Sequence, residues 1–99
     1  MTTPNPFAGL TEAQHSHVSV SKNSEGRAVN PDDAGACQWD AIGILVKAGI
    51  LGDTPSLFND FLRRNYGFGI YVANQYECWT FAQFEAAWDE FMATQEAAQ

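Results

Sequence analysis

Cations are scarce in this chain. Of its 99 residues only five are Lys or Arg, against 12 Asp and Glu, for a net charge of −7. Such a field repels phosphate backbones and anionic headgroups, so direct nucleic-acid binding and membrane association are both disfavoured. The scarcity is also uneven. Lys22, Arg27, Lys47, Arg63 and Arg64 are all the basic residues there are, and none follows position 64. From Asn65 to Gln99 the charge comes from Glu77, Glu85, Asp89, Glu90 and Glu96 alone.

Other absences narrow the function further. No apolar run approaches the ~20 residues that span a bilayer. Met1–Leu10 carries no basic cluster and no apolar stretch of the secretory kind, so the expected location is cytoplasmic. There are two cysteines, Cys37 and Cys78, and no C-x-x-C pair, which leaves structural zinc and thioredoxin-type chemistry without support. Both are expected to be small buried hydrophobes. The chain has no Gly-rich phosphate loop, no G-x-S-x-G elbow and no nucleophile beside a base. An enzyme is not expected, and no cofactor or metal is assigned.

Hydrophobic residues, at 45%, and aromatics, at 13%, are plentiful enough for one packed domain. Residues 1–10 contain two of the four prolines and no periodicity, and read as a flexible or loosely docked arm before a globular unit over 11–94. Val18 and Val20 alternate with serines as a half-buried strand. Asn23-Ser24-Glu25-Gly26 is turn chemistry, and Arg27–Val29 is the return strand of a hairpin. Asn30-Pro31-Asp32-Asp33 reads as a helix start, giving a first helix over about 31–48 that is apolar on two sides. One ridge is Ala34, Cys37, Ala41, Ile44, Leu45 and Ala48; the other is Trp39, Ile42 and Val46. Thr54-Pro55-Ser56 opens a second helix, about 55–66, stopped by Gly67. Residues 68–73 fit a strand or a helical turn equally well. Thr80 and Gln83 form a capping box for a third helix, about 81–94, with Phe81, Phe84, Trp88 and Phe91 in one arc and a frayed tail over 95–99. The expected fold is therefore α+β, an N-terminal hairpin with three helices.

Certain stretches occur together in a suggestive order: Gly26-Arg27-Ala28-Val29, then Trp39-Asp40-Ala41-Ile42-Gly43-Ile44-Leu45, then Asn74, then Thr80-Phe81-Ala82-Gln83-Phe84. Over residues 18 to 92 this resembles a family of small uncharacterised proteins from actinobacteria and their phages. The family's outline is D-x-x-G-x-x-V, W-C-A-L-G-A-L, W-N-D and T-x-x-E-V. Here Asp40 stands where the family has cysteine, and Asn74-Gln75 where it has Asn-Asp. The resemblance implies a helix-rich α+β domain of bacterial or phage origin and brings no activity with it.

Two constellations carry chemical interest. His15-x-His17 places two imidazoles on one face of an extended segment, the beginning of a zinc or nickel site. A third histidine is lacking, and Glu12 is expected in a different geometry, so these are read as solvated loop residues. Asp32-Asp33 is explained by helix-start electrostatics. Asp89 and Glu90 project about 100° apart on a helix and share no proton. The second constellation is the last helix, where Glu85, Asp89, Glu90 and Glu96 lie beside the aromatic arc. Glu77, Tyr76 and Trp79 precede it as candidate partner contacts, the aromatics as anchors.

The function these features imply is a non-enzymatic acidic module. Its partner would be a basic surface of another protein or ribonucleoprotein complex, the chain itself being a monomer or weak homodimer. The specific form is a phage-encoded inhibitor of a host nucleic-acid-handling or defence complex, resembling anti-CRISPR proteins in size and charge and acting in the host cytoplasm. The alternatives are an accessory subunit that oligomerises through the aromatic C-terminal helix, and a small metal-dependent enzyme using His15 and His17.

Overall fold

The computed structural model describes residues 5–50 and 52–97. The chain builds an α+β domain from a three-stranded antiparallel sheet and four helices. The strands are β1 (Ser21–Asn23), β2 (Ala28–Val29) and β3 (Ala36–Gln38), in the order β2-β1-β3. The helices are α1 (Ala41–Lys47), α2 (Thr54–Tyr66), α3 (Ile70–Gln75) and α4 (Phe81–Ala97).

The hairpin forms for local reasons. Asn23 Oδ1 accepts from the backbone N–H of both Glu25 and Arg27, each at 3.0 Å, and Gly26 takes φ +79° to close the turn. Ser21 then faces Val29 and Lys22 faces Ala28. The strand begins later than the alternation of Val18 and Val20 implied. Both valines precede β1 and are exposed, at 43% and 39%.

The first helix is shorter than expected and starts elsewhere. Residues 31–35 are turns, and 36–38 are strand β3 rather than helix. Asp33 explains the difference. Its carboxylate accepts from Gly35 N at 2.7 Å and its carbonyl from Ala36 N at 3.0 Å, a turn that competes with helix. The following residues complete the open edge of β1. Trp39 fixes the segment by donating from Nε1 to Pro31 O at 2.8 Å. Asp40, not Asn30, caps the helix, accepting from Gly43 N at 3.1 Å. Only one face of α1 is buried, by Ala41, Gly43, Ile44 and Leu45, while Ile42 and Val46 are exposed. Cys37 and Cys78 are exposed too, contrary to the expected burial.

The remaining helices follow their punctuation. Pro55 lies in the first turn of α2, and Gly67, at φ +87°, ends it. The ambiguous segment after it is helix α3, capped by Asn59 Oδ1, which accepts from Ile70 N at 2.8 Å. The box before α4 forms as expected, Thr80 N donating to Gln83 Oε1 at 2.8 Å and Gln83 N to Thr80 Oγ1 at 3.2 Å. The helix extends to Ala97, beyond the expected end; residues 98–99 of the expected tail lie outside the described residues.

The core is an aromatic cluster between α2, α4 and the N-terminal segment. Phe58, Phe81, Phe84, Trp88 and Phe91 are buried, and Phe7 joins them at 1% exposure. Phe7 stacks on Phe84 at 5.3 Å and meets Trp88 edge-on at 6.2 Å. The expected arm over 1–10 is thus docked from Asn5 onward. Asn5 Nδ2 donates to Glu85 O and Asp89 Oδ1, tying the segment to α4. Residues 1–4 lie outside the described residues.

Candidate functional site

The acidic candidates divide into several environments. Asp89 and Glu90 are exposed on α4, and Glu85 is half-buried one turn earlier. Asp89 accepts the hydrogen bond from Asn5, so the N-terminal segment covers part of this flank. Glu90 accepts from the Tyr66 hydroxyl through both oxygens, at 3.2 and 3.0 Å. Burial and the adjacent Glu90 carboxylate raise the Tyr66 hydroxyl above the ordinary phenol range. Among the described residues, the one ion pair that forms whatever the state of the histidines is Glu25–Arg27; Glu12 and His15 pair only when the imidazole is protonated, and neither contact involves α4. Glu96 lies on the last turn of α4, its side chain outside the described residues. Glu77 is exposed in the loop after α3.

The two aromatic candidates part company. Tyr76 is 63% exposed and meets Tyr71, itself exposed, edge-on at 5.7 Å. Trp79 is not a surface anchor. It is buried, with Tyr66, Phe68 and Phe84 rings at 5.0, 5.5 and 5.1 Å. Its backbone N–H donates to Ala73 O, which turns the chain inward between α3 and α4. The aromatic arc of α4 is likewise packed into the chain's own core, with Phe81, Phe84, Trp88 and Phe91 all buried.

A second cluster forms around Asn74, a residue whose role was not apparent from the sequence. Asn74 is buried on α3. Its Oδ1 accepts from Ala41 N at 3.1 Å and from His15 Nε2 at 2.7 Å, while its Nδ2 donates to Ser16 O at 3.1 Å. The two backbone partners fix the amide's orientation, so His15 Nε2 must carry a hydrogen. Asn74 O, in turn, lies 3.1 Å from His17 Nδ1. One residue therefore holds one nitrogen of each imidazole.

The other His15 nitrogen, Nδ1, faces Glu12 Oε1 at 3.2 Å. Glu12 does not sit in a separate geometry. Glu12–Gln14 is a 3-10 turn, and the side chains at its i and i+3 positions eclipse. The carboxylate's second oxygen accepts from Phe81 N at 2.8 Å, at the N-terminus of α4. His15 is buried and sandwiched, its ring 4.0 Å from that of Phe81 on one side and 4.0 Å from that of His17 on the other. Potential donor atoms of Glu12, His15 and His17 lie within 4.8 Å of one another.

A third polar locus lies where α1 meets the sheet. Ser21 Oγ is buried without a hydrogen-bond partner. Burial raises the Asp40 carboxyl above the usual range, opposed by the bond from Gly43 N. A shallow groove of about 210 Å³ runs past both, with exposed Val20, Ile42 and Val46 on its walls.

Comparison with protein-family models, curated proteins and solved structures finds no match to this chain. No helix among the described residues is long and apolar enough to cross a membrane.

Proposed function

We propose that the protein is a non-enzymatic binding module whose acidic C-terminal helix engages a basic surface of another protein or ribonucleoprotein complex. The observation that carries this reading is α4 itself: Asp89 and Glu90 are exposed, and no Lys or Arg occurs anywhere after Arg64. Among the described residues Asp89 and Glu90 form no ion pair, and carboxylates without one keep their field for a partner, where charge complementarity governs encounter rate and specificity. Tyr76 beside Glu77 adds an exposed aromatic to the acidic set. The sharper proposal is an inhibitor that occupies the basic groove of a nucleic-acid-handling or defence complex. It rests on the net charge of −7 and the small size, together with the resemblance to phage-borne proteins.

The test is a pull-down from a bacterial lysate at physiological salt, comparing wild type with Glu85→Lys/Asp89→Lys/Glu90→Lys. The expected result is loss of the retained partners with the circular-dichroism spectrum unchanged. Retention of the same partners by the reversed helix would overturn the proposal.

A further inference from the structure

We propose that Glu12, His15 and His17 form a binding site for a divalent transition-metal ion of the zinc class. The argument starts from proton positions. His15 Nε2 carries its hydrogen toward Asn74 Oδ1, so the lone pair of the neutral ring is on Nδ1. That lone pair points at a carboxylate oxygen 3.2 Å away. Two electron-rich atoms so placed need a cation shared between them, either a proton or a metal ion. Donors 3.2 Å apart that each sit about 2.1 Å from one ion subtend about 100° at it, within the range of a tetrahedral or five-coordinate centre.

His17 supplies the third donor. Its Nδ1 donates to the backbone carbonyl of Asn74, which leaves Nε2 with the free lone pair. All three side chains are therefore held by their non-ligating atoms: His15 and His17 by Asn74, Glu12 by the Phe81 N–H. Metal-binding histidines characteristically donate their other ring N–H to such oxygen acceptors, which fixes both tautomer and ring direction. Because His17 is stacked on His15, its ring must tilt about the Nδ1–Asn74 O bond to bring the in-plane Nε2 lone pair onto the shared ion. His17 is exposed and the Glu12 side chain half-exposed, so both can move to close separations of up to 4.8 Å. Two imidazoles and one carboxylate suit Zn2+ and its neighbours, not Mg2+ or Ca2+, and leave a position open for water or a partner's donor. This inference does not depend on what α4 binds.

The experiment uses the untagged full chain, stripped with a chelator and titrated with Zn2+ by calorimetry and with Co2+ by visible absorption. One equivalent should bind, with Co2+ giving the intense visible bands of a low-coordinate centre. His17→Ala removes an exposed ligand. It should weaken Zn2+ binding at least tenfold while the metal-free protein still unfolds in one cooperative transition. Glu12→Gln keeps an acceptor for Phe81 N and should weaken binding similarly. In the wild type, Zn2+ should shift the imidazole proton and nitrogen resonances of both histidines. Absence of one-equivalent binding would show that a proton alone bridges Glu12 and His15, and would overturn the proposal. So would binding that His17→Ala leaves intact, or resonances that do not move.

Discussion

The His15 imidazole donates from Nε2 to Asn74 Oδ1 at 2.7 Å, joining positions 59 residues apart at the meeting point of the N-terminal segment, α1 and α3. The amide has no idle atom here. Its oxygen serves His15 and the first N–H of α1, and its nitrogen serves Ser16 O. Replacing Asn74 by Ala would strand three buried groups together, and each unsatisfied group costs about 1–3 kcal/mol. A domain of this size has roughly 5–15 kcal/mol in all. Asn74→Ala should therefore lose at least about 3 kcal/mol, read as the shift in urea midpoint at constant m-value. Asn74→Asp should also destabilise, because an oxygen would then face Ser16 O. A loss under about 1 kcal/mol for Asn74→Ala would mean that the network is not fully buried in solution.

What could be seen beforehand was the punctuation that acts over a few residues. Pro55, Gly67 and the Thr80/Gln83 pair mark α2 and α4 because caps and stops are decided within one turn of the chain. The hairpin turn was legible for the same reason, through Asn23 and Gly26. The start of α1 was not, because Asn30-Pro31-Asp32-Asp33 has the composition of a cap while Asp33 uses its carboxylate to make a turn. Which signal prevails depends on β3 pairing with β1, a tertiary term that no local pattern contains. Trp79 looked like an anchor because a loop aromatic carries no mark of its burial. Asn74 was hidden because its partners are distant. Glu12 was within reach: Thr11 and Gln14 form a Thr-x-x-Gln pair, Thr11 N donating to Gln14 Oε1 at 2.9 Å. The turn it opens stacks Glu12 over His15.

Gly43 tests whether propensity or packing governs α1. Gly-to-Ala in a helix interior is ordinarily stabilising by up to about 1 kcal/mol. A Cβ here would lie 2.6 Å from Asp40 Oδ1 and 2.8 Å from Ser21 Oγ, displacing the cap. Overpacking of that kind costs about 1–3 kcal/mol, so the sign reverses and Gly43→Ala should lower the thermal midpoint. Ser21→Ala removes an unpartnered hydroxyl, should be neutral or stabilising by itself, and should recover part of the loss in the double variant. An unaltered midpoint for Gly43→Ala would show that the Asp40 cap yields freely.

Phe7 decides whether the N-terminal segment belongs to the folding unit. Its ring is 1% exposed among Phe58, Phe81, Phe84 and Trp88. Phe-to-Ala in such a place costs about 3–5 kcal/mol through lost burial and the cavity left behind. Phe7→Ala should accordingly destabilise the domain by about 3–5 kcal/mol and expose the segment to limited proteolysis. Proteolysis of the segment with the global midpoint preserved would instead define it as an independently detaching strap.

Asp40 gives the pH dependence its sign. Its carboxyl is raised chiefly by desolvation, so the folded protein holds this proton more tightly than the unfolded chain does. The site therefore adds stability in full below the unfolded value of 3.8 and loses it as pH rises through the folded value. At neutral pH the protein carries the burden of a buried carboxylate. Asp40→Asn removes that charge and keeps an oxygen that can accept from Gly43 N, since Asn and Asp are comparable caps. In parallel urea titrations the variant should gain on the wild type as pH rises from 3.8 through the folded value, and the gap should level off above it. Asp40→Ala separates the two roles. It also removes the charge but sacrifices the cap, and should fall below Asp40→Asn by about 1 kcal/mol at every pH. If the gap between wild type and Asp40→Asn stayed constant across that range, the carboxyl would titrate alike in the folded and unfolded chain, and its burial would carry no electrostatic cost.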